Sequence, residues 1–324
     1  MIAAAGVDPW AWEPHPEVWL LVAFLVGAFV YMARVIGPHV VRSGERAVTR
    51  RQTVYFTMAM ALLWFGADWP VHDIGEQYLY SVHMFQHMVF SYFVPPLALM
   101  ATPTWMMRAL LGEGRTYRTA RFFTKPVIAG AIFNVMVMVL HIPGLVNAST
   151  ENAVLHYTLH LGVMLTALLM WMPVVGPLPE AQIGPGGKAI YLFLMSVVPT
   201  VPAGWLTFAE GAVYKHYVQP VRVWGLSVTD DQQLAGAIMK IGGGFFLWSI
   251  VIFLFFKRFS RNFEQDNTYV RIVRIPSAEI TGNDEQPLMY ADVQAVFDRT
   301  HPPTPEGSSA DGSLPAEQPS RDDR

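Results

Sequence analysis

Long apolar runs recur along the chain from residue 17 to residue 256. Each run is about 20 residues long, which is the length of helix that crosses the hydrocarbon core of a bilayer. Lipid offers the backbone no hydrogen-bond partners, so a spanning segment must be a helix or part of a closed barrel, and these runs are too long for barrel strands. The pattern therefore predicts an all-α polytopic membrane protein with seven transmembrane helices. The predicted helices lie near residues 17–36, 53–69, 78–100, 126–146, 153–172, 188–208 and 232–256.

The basic residues of the short loops predict the orientation of these helices. Lys and Arg are concentrated at residues 42–51, 108–125 and 257–261. Basic loops are retained on the cytoplasmic side of a membrane, so the N-terminus is predicted outside and the C-terminus in the cytoplasm. Residues 1–260 then form the transmembrane domain. Residues 261–324 form a cytoplasmic tail, which we expect to be disordered from about residue 300, where Pro, Gly, Ser and acidic residues dominate.

Composition supports a membrane protein and excludes several other classes. Hydrophobic residues make up 52% of the chain and charged residues 15%, against roughly 25% charged residues in a typical soluble domain. A net charge of -3 gives no reason to propose a nucleic acid as partner. The chain has no cysteine, which excludes disulfides and thiolate metal sites, so any soft metal ion would depend on the 17 methionines. The N-terminal segment lacks the basic residues of a cleaved signal, so the first apolar run is expected to remain as a helix.

Histidines recur at a spacing of four residues on two of the predicted helices. His83 and His87 lie on the third helix, and His156 and His160 lie on the fifth. Residues four apart share one face of a helix and are separated by about 6 Å along its axis. Both pairs fall in the outer half of the membrane. Four imidazoles on neighbouring helices suit copper or zinc, and a nearby thioether sulfur favours Cu(I).

Other residues at the same depth are supplementary candidates. Taken alone, methionines on an apolar helix are more typical of packing, and a single membrane histidine more often bonds to a neighbouring helix. Five histidines at one depth favour metal binding, because ionisable residues within a membrane are costly and usually functional. The supplementary metal candidates are Met84, Met88, His141 at the outer end of the fourth helix and Asp231 at the start of the seventh, where a carboxylate could orient the imidazoles. No role is assigned to His15, His39, His216 and His301, which lie in the N-terminal segment, the loops or the tail.

Two segments carry a resemblance to a known family. SVHMFQHMVFSYFVPPLALMATP at residues 81–103 and DQQLAGAIM at residues 231–239 resemble the multi-helix CtaG family of cytochrome c oxidase assembly proteins. The matching positions are His83, Gln86, His87, Pro95, Pro96, His141, His156, His160, Asp231, Gln232, Gly236 and Met239. The resemblance implies a role in maturing a haem-copper oxidase in a bacterial plasma membrane, with copper handled for its membrane subunit. Lys240 departs from the pattern, since the family usually has Trp at that position.

Four functions remain open on the sequence. The leading one is an assembly factor that binds copper on the outer face of the bilayer without catalysing a reaction, since the chain shows no nucleophile paired with a base and no phosphate loop. A haem-binding cytochrome is disfavoured, because each HxxxH pair would supply only one axial ligand. A copper or proton transporter is disfavoured because residues 91–101 and 166–171, the inner halves of two helices, hold no histidine or acid, and Lys240 is the main exception. A metal-free scaffold for oxidase subunits is the fourth.

Overall fold

The computed structural model of the chain describes residues 8–42, 44–273, 294–297 and 299. In this part of the chain every regular element is a helix, which confirms the predicted all-α class. The chain divides into two units, Met1–Glu264 and Gln265–Arg324. The tail that is predicted to be disordered from about residue 300 lies outside the described residues. The main helices are α1 Pro16–Val40, α2 Arg50–Ala67, α3 Val71–Gln77, α4 Tyr80–Ala101, α5 Thr104–Leu111, α6 Arg115–Phe123, α7 Pro126–Leu140, α8 Pro143–Glu151, α9 Ala153–Val175, α10 Pro185–Thr207 and α11, which begins at Val228 and ends at Val273.

Five of these helices are long and apolar enough to cross a membrane by themselves. They are α1, α4, α9, α10 and the Val228–Lys257 part of α11. All seven predicted runs fall on helices, but two of them fail as single spans. The second run lies on α2, whose first turn contains Arg50, Arg51 and Gln52 and so lowers its mean hydropathy. The fourth run lies on α7, which has only 15 residues and reaches a sufficient length only together with α6, across a bend of 68°.

The helix that carries His83 and His87 lies in the centre of the bundle. In α4, 72% of the apolar span is buried by other parts of the protein, against 6% in α1. The helix packs against α2, α9 and α11. The outward faces of the peripheral helices remain apolar, with Val127, Phe24 and Phe245 more than two-thirds exposed. This distribution is typical of helices that face lipid while a central helix is enclosed by protein.

Two prolines change the hydrogen bonding of α4 without ending it. Pro95 has no N–H, so it leaves the carbonyl four residues earlier, that of Ser91, without its helical donor. The Trp171 side chain of α9 donates to that carbonyl from Nε1 at 2.9 Å. Just before the prolines the helix forms a π-helical turn at Val89–Phe93, which is a common site of a bend, and it then continues to Ala101. A π turn therefore precedes the prolines, and a side chain of a neighbouring helix satisfies the released carbonyl.

The N-terminus of α4 is held by a side chain of α11. Asp231 is fully buried and accepts hydrogen bonds from the backbone N–H of Tyr80 at 2.8 Å and of Ser81 at 3.0 Å. Its Oδ1 also accepts from the Ser81 hydroxyl at 2.6 Å. A carboxylate at this position satisfies amides that have no partner within the helix and complements the positive end of the helix dipole. Asp231 thus fixes the start of the helix that carries His83.

Close packing of α11 against α10 depends on a glycine. A Cβ at Gly236 would lie 2.6 Å from Thr207 Oγ1 and 2.7 Å from the Ala203 carbonyl oxygen. Only a residue without a side chain allows the two backbones to approach in this way. Lys240, one turn further on, is exposed, and its Nζ donates to Thr200 Oγ1 at 2.6 Å. This lysine does not line the site described below.

Candidate metal centre

The short helix α3 folds back on the first turn of α4. A Cβ at Gly75 would lie only 3.1 Å from the backbone nitrogen of His83, so glycine permits this approach. The hydroxyl of Tyr217 donates to the Gly75 carbonyl at 3.0 Å. The backbone oxygen of Glu76 lies 2.8 Å from Nε2 of His216. These contacts hold the Glu76 side chain over the histidines of α4.

Three histidines converge beneath Glu76. His83 and His87 of α4 and His160 of α9 each offer a ring nitrogen, and these nitrogens all lie within 4.8 Å of one another. The ring centroids are 4.5 Å apart for His83 and His87 and 4.9 Å apart for His87 and His160. His156 continues the set, with its ring 4.4 Å from that of His160. The structure thus brings together the four histidines of the two predicted pairs, which we call the inner cluster.

Glu76 supplies a negative charge to the inner cluster. Its Oε1 lies 2.9 Å from His83 Nδ1, 3.3 Å from His156 Nε2 and 3.6 Å from His160 Nε2. Burial by itself would raise the pKa of the Glu76 carboxyl, but the neighbouring imidazoles hold that pKa well below its usual value. Glu76 is therefore an ionised carboxylate in contact with three imidazoles.

Hydrogen bonds set which nitrogen of two imidazoles is free. His83 Nδ1 faces the Glu76 carboxylate, and His141 Nδ1 lies 2.7 Å from the Val137 carbonyl oxygen. Both oxygens can only accept, so each Nδ1 carries the proton, and in the neutral ring Nε2 keeps its lone pair. This arrangement, in which an acceptor holds one ring nitrogen and leaves the other free, is usual for histidines that bind metals.

Several ring nitrogens in this region lack a well-aligned hydrogen bond. Within the described residues, Nε2 of His141, of His156 and of His160 is buried and makes no hydrogen bond of good geometry, although the last two lie 3.3 and 3.6 Å from Glu76 Oε1. An unpaired buried polar atom costs about 1–3 kcal/mol, so such atoms are uncommon unless a ligand satisfies them. The donors are neutral nitrogen atoms beside a carboxylate, which is a set that suits a copper or zinc ion. The residues present therefore fit a bound metal.

The methionine candidates lie on the far side of His87. Met84 and Met88 are buried, and with Met239 of α11 they line a small cavity that His87 and His141 also reach. The four histidines of the inner cluster line a second small cavity, so His87 lines both cavities. The structure therefore places the thioethers and His141 beside the inner cluster rather than within it.

Asp231 lies outside the inner cluster. Its two carboxylate oxygens accept hydrogen bonds from the first turn of α4. Among the described residues, it belongs to none of the sets of side chains that are close enough together to hold a metal ion. Its connection with the cluster runs through the backbone between Ser81 and His83. The sequence suggested that this carboxylate could orient an imidazole, whereas the structure has it hold the first turn of the helix that carries His83.

Sequence reasoning missed Glu76. His72 and Glu76 are four residues apart on α3, the same spacing that identified the histidine pairs, so that criterion applied to the outer loop would have found the carboxylate. His72, Glu76 and His156 form a second group of ligand atoms within 4.8 Å. His15 was assigned no role, yet its Nε2 lies 2.8 Å from Asp73 Oδ1. No local spacing could have indicated that contact, because 58 residues separate the two in the chain.

Comparison with known proteins adds a family. Residues 23–261 match the family model described as cytochrome c oxidase caa3 assembly factor (Caa3_CtaG). No curated protein and no solved structure matches the chain. The matched segment contains the inner cluster, Glu76 and Asp231, whereas His15 precedes it.

Proposed function

The chain belongs to the family of cytochrome c oxidase caa3 assembly factors, and we propose that it binds a copper ion through its inner cluster. The copper is cargo, bound on the outer side of a bacterial plasma membrane and destined for the membrane subunit of a haem-copper oxidase. His83, His87, His156 and His160 are the proposed ligands. Glu76 orients them and supplies the charge that balances the ion. No bond of a substrate is made or broken.

The observation that carries this proposal is the convergence of imidazole nitrogens on one point. Ring nitrogens of His83, His87 and His160 lie within 4.8 Å of one another, and Nε2 of His156 and of His160 has no well-aligned partner among the described residues. Imidazole is a preferred ligand of copper. The adjacent cavity with Met84, Met88 and Met239 offers thioethers, which are ligands for Cu(I), and His141 faces the same cavity.

We further propose that the chain crosses the membrane seven times, with its N-terminus outside. Five helices meet the length and hydropathy of a span on their own, and the proposal adds α2 and the bent pair α6 and α7. The basic residues of the predicted cytoplasmic loops support this orientation. It puts α3 and Glu76 at the outer surface, where a copper ion from outside the cell would arrive.

The geometry favours copper over haem at this site. Two axial histidines bind a haem iron from opposite faces of a flat macrocycle. Here the rings of each pair are only 4.4–4.5 Å apart, and Tyr80 stacks on His83 at 5.5 Å with an interplanar angle of 16°. These neighbours fill the space that a porphyrin would need.

Copper content of the detergent-purified protein tests the proposal. The wild type, loaded anaerobically with Cu(I) and desalted, should retain about one copper per chain, as expected for one imidazole site. The double variant H83A/H87A should lose this copper while it remains inserted in the membrane. H39A is the matched control, because His39 is exposed near the end of α1, and it should bind as the wild type does.

Three results would contradict the proposal. Equal copper in all three proteins would remove the inner cluster as the site. A Soret band in the purified protein would favour the cytochrome. A folded protein that binds neither copper nor haem would favour a scaffold for oxidase subunits.

A further inference from the structure

We propose that His15, His72 and Asp73 form a second metal site, for a divalent transition-metal ion such as Cu²⁺, at the outer edge of the inner cluster. Each residue offers one ligand atom, and the three atoms all lie within 4.8 Å of one another. His15 comes from the segment before α1, and the other two come from α3. We call this group the outer site.

The outer site is built from nearly buried side chains. The side chains of His15, His72 and Asp73 are 12%, 14% and 7% exposed. Asp73 Oδ1 lies 2.8 Å from His15 Nε2 and 3.3 Å from His72 Nδ1, and the two rings are 4.7 Å apart. The other oxygen, Asp73 Oδ2, is buried and has no hydrogen-bond partner within the described residues. An unpartnered carboxylate oxygen beside two imidazoles is available to a cation.

The carboxylates around the outer site give it a negative charge that would attract a cation. Glu17, Asp73 and Glu76 lie in this region, and their ion pairs in the described part of the chain are with histidines rather than with Lys or Arg. A bound metal ion can therefore supply positive charge to these carboxylates.

The donor set indicates the kind of ion. Two imidazole nitrogens and one carboxylate oxygen suit a borderline divalent ion, with Cu²⁺ bound most strongly in the usual order of affinities. The three ligand atoms are nitrogen and oxygen, whereas Cu(I) favours thioethers. The outer site thus differs chemically from the cavity beyond His87.

The outer site adjoins the inner cluster without depending on it. His72 also belongs to the group of ligand atoms with Glu76 and His156, and its ring lies 6.0 Å from that of His156. His15 lies outside the segment that matches the family model. The outer site therefore includes a residue of the N-terminal segment, and it can be removed separately from the inner cluster.

Metal counts on single variants test the outer site. Purified protein is saturated with Cu²⁺ and desalted, and the copper per chain is measured. The wild type should retain about two ions, one for each imidazole site, since all-imidazole sites also accept Cu²⁺. H15N removes a ligand of the outer site only, H87N removes a ligand of the inner cluster only, and each should retain about half the copper of the wild type. H39N is the control and should retain as much as the wild type.

Electron paramagnetic resonance of H87N provides a second measurement that does not rely on the folding of H15N. The single Cu²⁺ of H87N should show hyperfine coupling to nitrogen, as expected for ligation by His15 and His72. Undiminished copper in H15N, or no nitrogen coupling in H87N, would overturn the outer site while leaving the inner cluster intact. Full copper in H87N together with loss in H15N would instead support the outer site and contradict the proposed function.

Discussion

Asp231 offers a direct test of how the position of the inner cluster is maintained. Replacing it by Ala removes three hydrogen bonds, from Tyr80 N, Ser81 N and Ser81 Oγ, at distances of 2.6–3.0 Å. Each buried amide left without a partner costs about 1–3 kcal/mol. With two such amides we expect D231A to lower the free energy of unfolding by about 2–6 kcal/mol. D231N should fall in between, because an amide group can accept from one N–H but presents its own donors to the other.

The measurement is the free energy of unfolding in mixed detergent micelles, with D230A as the control. Asp230 is exposed, and its contacts are with Ser227 at the start of its own helix. Its removal should cost about 1 kcal/mol or less. Equal destabilisation by D231A and D230A would refute the reasoning, because the cost would then belong to the first turn of α11 rather than to the cap of α4. Copper content should fall with stability in D231A, since His83 lies two residues after Ser81.

Two further substitutions test the site and the packing. E76Q keeps the size of the side chain but loses the charge beside three imidazoles, so copper affinity should fall about 10- to 100-fold in a competition titration. E180Q, at an exposed carboxylate distant in the chain, should leave that affinity unchanged. G236A would place a Cβ 2.6 Å from Thr207 Oγ1, so it should lower the free energy of unfolding by about 1–3 kcal/mol. The control G204A faces open space, and it should not destabilise, because Ala favours a helix over Gly. Destabilisation as large as that of G236A would refute the packing argument.

The regular parts of the molecule could be predicted from the sequence because they depend on local patterns. All seven apolar runs fall on helices, and the residues at 81–103 and 231–239 indicated the family that residues 23–261 match. Hydropathy is a weaker guide for α2 and α7. One begins with charged residues and the other is short, so hydropathy alone does not establish either as a span. A count of apolar residues does not reveal a span that consists of two helices joined at a bend.

The site was predicted as far as its residues share a helix. The spacing of four in α4 and α9 identified both histidine pairs, since residues on one face of a helix are neighbours in any fold. Glu76 required a further step, because α3 is a seven-residue helix that no apolar run marks. Its carboxylate meets the histidines only because Gly75 allows α3 to pack on the backbone of α4.

The negative charge of the candidate site was not predicted, because Glu76 comes from a different helix from the histidines. On the sequence, imidazoles and thioethers were the candidate ligands, and the acids of the outer loop were assigned no role. The structure turns Glu76 inward, against His83, His156 and His160, and a buried carboxylate requires a compensating positive charge. A copper ion bound by the inner cluster would supply that charge, and the loss of affinity expected in E76Q tests this pairing.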